Sequence, residues 1–403
     1  MSAIGVIFRQ LLHRPRPAAS SVPDTPPEPE SLRLAHHGRN RSSESGMADP
    51  LPVRSITRDE RETASLHAQG LFFARQDRWE ELDALIRKTD ASRVATPGGA
   101  LAAELLARGA GADAIEPGPD GTRAPGLVWL NELRKDLADR PGIALAVAWA
   151  EIATAEGARR GAAPRTLAVA DRMDYFAHLA QAADVLDGFD PVEHDSPALA
   201  AARCAVAPVW QADADHICDL YEDLIDLDPA NPQHMRALGR TLQPLGLAGQ
   251  AALDAVARAT TARTQDLWGT GAYAWCWHDA LLADPRALER MDIDRFLQGI
   301  EDILLRHEDQ HLMNQLAALC TLAPVRRGRG QTELNAVVAK RRAAMQAAGR
   351  AILRERLKEI HPLVWAATAG HTGGRPAAVE AGTDLATAAL AEAHEAGPHV
   401  RAG

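Results

Sequence analysis

From Asp59 to about Ala323 the apolar positions recur three and four residues apart, in segments of helical length. No stretch alternates apolar and polar residues as a half-buried strand would. The segments are interrupted by "TPGG", "EPGPDGTRAPG", "DRPG", "GFDPVEHDSP" and "DPANP", all turn-forming in chemistry. Residues 326–358 continue the helical pattern with Val337, Val338, Met345, Ile352, Leu353 and Leu357 set among ten Lys and Arg. That spacing predicts a long basic amphipathic helix. An all-α protein of stacked helix pairs follows. The expected division is a disordered Pro/Ser/Arg-rich segment over 1–50, a helical domain over 51–325, a basic helix over 326–360 capping the stack, and an Ala-rich tail over 361–403, partly helical or disordered. Met47 opens the first stretch that reads as folded and is an alternative start.

Three segments carry a further resemblance. In "GLFFARQDRWEELDALI", Gly70, Phe73, Trp79, Leu82 and Ile86 fall near the small and large packing positions of a tetratricopeptide helix pair. "ALGRTLQPLGLAGQAALDAV" places Leu238, Gly239, Leu242, Gly246 and Ala251 similarly, and "AVAWAEIATAEG" offers Trp149, Ala150, Ala153 and Gly157. The chain thus resembles a degenerate tetratricopeptide-like (TPR-like) repeat protein, without a strict period of about 34 residues. The resemblance implies an α-solenoid whose stacked pairs leave a concave groove. It also implies a non-enzymatic scaffold or adaptor that holds a peptide or protein partner there.

Composition supports the helical reading, since Ala, Leu, Arg and Glu dominate over β-branched and aromatic residues. The formal net charge of -10 argues against general nucleic-acid binding. Cys204, Cys218, Cys276 and Cys320 form no C-x-x-C pair and read as buried reduced thiols, which places the chain in the cytoplasm. No apolar run is long enough for a membrane span. Neither phosphate-binding glycine motif occurs, and no cofactor is expected.

The most distinctive stretch is "DLWGTGAYAWCWHDALLADP". Trp268, Tyr273, Trp275, Trp277 and His278 either anchor helix contacts or, if they face the groove, form the partner-binding surface. The acidic run 213–228 puts His216, Asp219 and Asp223 on one helical face, a pattern read first as a solvated face. In "VEHDSPAL", Ser196 reads as a helix N-cap, because consecutive residues do not converge as a catalytic triad does. The basic 326–358 helix allows a third reading, a regulator that binds nucleic acid or membrane.

The pentad His307-Glu308-Asp309-Gln310-His311 spells H-E-x-x-H. On one helix face it would make a zinc hydrolase, with His307 and His311 as ligands and Glu308 as base. Four features oppose this. Asn314 and Ala317 occupy the Gly and His positions of the extended motif, and Asp309 and Gln310 make its interior polar. The apolar stripe changes phase across the pentad. Shifted by 78 residues, "LIDLDPANPQHMRAL" overlays "DILLRHEDQHLMNQL" and sets Pro229 and Pro232 against His307 and Gln310. Prolines at that spacing mark a turn between helices. An inter-helix turn is therefore expected at the pentad, with no metal and no catalytic residue.

Overall fold

The computed structural model describes residues 50–116, 125–159, 161, 163, 166–210, 213–323 and 336–395. The helices are α1 (Arg58–Arg75), α2 (Trp79–Ala91), α3 (Ala102–Gly111), α4 (Pro125–Asp136), α5 (Pro141–Arg159), α6 (Val169–Leu186), α7 (Pro197–Val206) and α8 (Ala214–Leu227). They continue as α9 (Pro232–Leu242), α10 (Gly246–Arg263), α11 (Gly271–Ala283), α12 (Ile293–Arg306), α13 (Gln310–Leu322), α14 (Ala336–Glu355), α15 (Pro362–Ala369) and α16 (Arg375–Glu395). A single helical turn, Gln265–Trp268, precedes α11. No strand occurs among the described residues; the two isolated bridges join Val53 with Ile360 and Ala95 with Leu101. The all-α expectation holds. The segment expected to be disordered lies, apart from Pro50, outside the described residues, as do Arg326, Arg327 and Arg329.

Local chemistry fixes many boundaries. Thr57 and Glu60 form a reciprocal capping box at the start of α1. Pro197, Pro232 and Pro362 stand at the first positions of α7, α9 and α15, where the missing amide costs nothing. Gly370, at φ 75°, ends α15 in the left-handed conformation that a side chain would resist.

The extensive contacts join helices one to three places apart in the chain, such as α1 with α3, α5 with α6, α9 with α11 and α15 with α16. Two apolar cores result. The first gathers side chains from Trp79 to Val206 and the second from Ala200 to Ala393, so α7 contributes to both. Each core is built around a helix that is buried on all sides. In α5 every residue from Gly142 to Ile152 is buried, and in α11 every residue from Gly271 to Leu281.

Small residues let backbones touch. A Cβ on Gly70 would lie 2.0 Å from the Leu106 carbonyl oxygen, and one on Gly109 would lie 2.0 Å from that of His67. Two helices, α1 and α3, are thus pinned by reciprocal glycines. Gly239 in α9 meets the Cys276 carbonyl of α11 in the same way.

At the C-terminal end the basic helix is α14. It packs against both α13 and α16, with Val338, Met345, Ile352 and Leu353 in the second core. The Ala-rich stretch after it forms α15 and α16, and Trp365, Ala386, Ala389 and Ala393 are core residues. Alanine leaves little apolar area per residue, so the sequence pattern there is faint although the packing is close.

Candidate functional site

The pentad becomes a turn with a cap. Helix α12 ends at Arg306, His307 takes an extended φ of -130°, and α13 begins at Gln310. Asp309 caps α13 by accepting from the amides of His311 and Leu312 at 2.8 and 3.1 Å. The earlier pair matches it: α9 begins at Pro232, capped by Asn231, exactly where the 78-residue shift sets Gln310 and Asp309. His307 and His311 therefore share no helix face. The His307 ring lies 4.4 Å from Trp268 and the His311 ring 5.7 Å from His361. The alternative zinc-hydrolase arrangement would need that shared face. Among the described residues no group of three or more His, Cys, Asp or Glu is placed to hold a metal ion.

The same turn lines a cleft of about 810 Å³. Residues 54–61 form one wall and Glu308 to His311 another, with Glu359 and His361 beside them. Three helix starts converge there, those of α1, α13 and α15. The far-separated segments are held by polar side chains. Asn314 is fully buried and uses its whole amide. Its Nδ2 donates to the carbonyls of Gln310 and Glu359 at 2.8 and 3.0 Å. Its Oδ1 accepts from the His361 amide at 2.9 Å and Trp365 Nε1 at 3.0 Å. Gln310 adds bonds to the Arg356 carbonyl and the Lys358 amide. The Arg54 amide donates to the Ile360 carbonyl at 2.8 Å, and the Ile360 amide to that of Pro52 at 2.9 Å.

Charge in the cleft is mixed. Arg54 pairs with Glu359, Arg58 with Glu62, and Asp59 accepts from the Gly98 amide. Burial alone would raise the Glu359 carboxyl, but hydrogen bonding to His361 and Arg54 outweighs it and holds the group below its ordinary range. Burial, aided by neighbouring His361 and opposed by Asp59, pushes His311 below the ordinary imidazole value. Arg61 and Glu308 make no ion pair with another described side chain. Ile56, more than half exposed, supplies apolar surface at the rim.

The aromatic cluster is elsewhere and inaccessible. Trp268, Tyr273, Trp275, Trp277 and His278 are all buried, which fits the helix-anchoring alternative of the two readings. Trp268 Nε1 donates to the Pro229 carbonyl at 2.8 Å, and the Tyr273 hydroxyl donates to Asp254 at 2.6 Å. His278 and Arg236 flank the buried carboxylate of Asp279, with Arg240 reaching in from the surface. A helix buried on every face has no side left for solvent.

The remaining candidates take structural roles. Ser196 caps α7, accepting from the Leu199 amide, while its hydroxyl donates to buried Asp90. No His lies between them in the manner of a triad. In the acidic run, His216, Asp219 and Asp223 are exposed, and Arg263 bridges Glu222 and Asp226. Arg341 of the basic helix donates to the carbonyls of Leu288 and Glu289. The four cysteines are free thiols. No described helix is long and apolar enough to cross a membrane. Comparison with protein families, with curated proteins and with solved structures gives no match.

Sequence reasoning missed most of the cleft: Arg54, Asp59, Arg61, Glu359 and His361 were not singled out. The T-x-x-E spacing of Thr57 and Glu60 is the local signal that could have marked this wall. Nothing local announces that residues 54–61 meet 359–361.

Proposed function

We propose that the chain is a non-enzymatic, TPR-like helical-repeat scaffold, an α-solenoid in which the 810 Å³ cleft takes a polypeptide segment of a partner. The observation that carries this reading is the cleft itself. It is large enough for several side chains and lies at the convergence of three helix starts. It also offers Arg61 and Glu308, which make no ion pair among the described residues, and the apolar Ile56. Mixed, partly satisfied walls suit a peptide, with its backbone and side chains of both signs. Serial helix packing, the reciprocal Gly70 and Gly109 contact and the matching turns at 231 and 309 support the repeat reading.

The test is a photo-crosslinking residue at position 56, with one at exposed Val128 on α4 as the control. The reading expects one polypeptide adduct from position 56, competed by a synthetic peptide of the mapped segment and lost with Arg61→Glu. Equal adducts from both positions, or indifference to Arg61→Glu, would refute it.

A further inference from the structure

The seam that closes the cleft holds an unusual pair. His311 and His361 are both more than nine-tenths buried, their rings 5.7 Å apart, and the Nδ1 atom of each has no hydrogen-bond partner. They lie where residues 52–54 meet 359–361, far apart in sequence and joined, among the described residues, by two backbone hydrogen bonds and the Arg54–Glu359 pair. Arg375 secures the same N-terminal segment by bonding Glu60 and the Ser55 carbonyl. Such a seam opens more readily than a helix interface, because Leu51 packs on the core while residues 52–56 are exposed and bury little apolar area.

We infer that His311, packed against His361, is an acid-sensitive latch, which holds residues 51–61 against 359–361 while its ring is neutral and releases them when that ring gains a proton, opening the cleft. The inference rests on the cleft being the binding site, and it names how access to that site is regulated.

The charges around the pair decide the sign. Asp59 from α1, Glu308 and Asp309 from the turn, and Glu359 beside His361 favour a protonated ring. Arg58 and Arg61 from α1, Arg54 from the N-terminal segment and Arg236 from α9 oppose it. Four carboxylates face four guanidiniums, so the field largely cancels and burial prevails. A proton on His311 would also face the His361 ring. Consistent with this, burial is the leading cause of the downward shift at His311. The open state then binds the proton more readily than the closed state. Acid favours opening, beginning below the ordinary histidine value near 6.5.

The test needs no ligand, so its failure is separable from failure of the binding reading. Hydrogen exchange, corrected for the intrinsic pH dependence of amide exchange, is followed at the Arg54 and Ile360 amides between pH 7.5 and 5.5. For one histidine freed on opening, their protection should fall as the pH drops, by at most about tenfold over that range. The Ala102 amide, bonded to the Val94 carbonyl at the other bridge, should hold its protection. His311→Gln should remove most of the effect. Constant protection at Arg54 and Ile360, an equal fall at Ala102, or a fall unchanged in both His311→Gln and His361→Gln would overturn the latch.

Discussion

Replacing Gly70 with alanine probes the closest helix contact in the first core. The new Cβ would lie 2.0 Å from the Leu106 carbonyl oxygen, 2.8 Å from its carbonyl carbon and 3.0 Å from its Cα. An ordinary contact begins at 3.4 Å, so helices α1 and α3 must separate by a good part of that difference. The neighbouring atoms are backbone and cannot swing aside as a side chain can. Overpacking of this kind costs about 1–3 kcal/mol, and the upper end applies where backbone must move. Alanine recovers up to about 1 kcal/mol of helix propensity, which offsets part of the cost. The net expectation is a loss of about 2 kcal/mol in denaturant unfolding. Gly109→Ala should cost a similar amount, since its Cβ meets the His67 carbonyl at 2.0 Å. The double variant should lose less than the sum, because the first substitution has already separated the same two helices. Wild-type stability in Gly70→Ala, or strict additivity in the pair, would refute the reciprocal-glycine argument.

Two other substitutions test the second core. Trp275→Ala should destabilise by about 3–5 kcal/mol in thermal or denaturant unfolding, as expected for a fully buried ring; a change under about 1 kcal/mol would return this residue to the surface. Asp279→Asn leaves the largely buried Arg236 facing a neutral amide and should cost about 3 kcal/mol or more by the same assay; a neutral outcome would show that Arg236 swings out to water.

How much of this was legible differs by element. The helices from α1 to α13 are written in spacing and in turn residues. The pentad's role as a turn could be read by laying it over "DPANP", because each loop ends in a side-chain cap, Asn231 or Asp309. The tail was harder. In α16 the core contacts come from Ala386, Ala389 and Ala393, and alanine on one face looks like alanine on any other. The aromatic stretch left two readings open for a related reason: its period carries no continuous polar side, and periodicity alone gives such a helix no orientation. The cleft was least legible. Its walls are brought together by Asn314 and by the pairing of Arg54 with Ile360, and neither residue type is distinctive on its own.

The central claim is that the cleft among residues 54–61, 308–311 and 359–361 holds a partner polypeptide. Hydrogen exchange of the full chain, with and without the segment mapped by crosslinking from position 56, tests it most directly. The account predicts slowed exchange in those three segments together, with α5 and α11 unchanged. Slowing confined to any other surface, or none at saturating peptide, would contradict it.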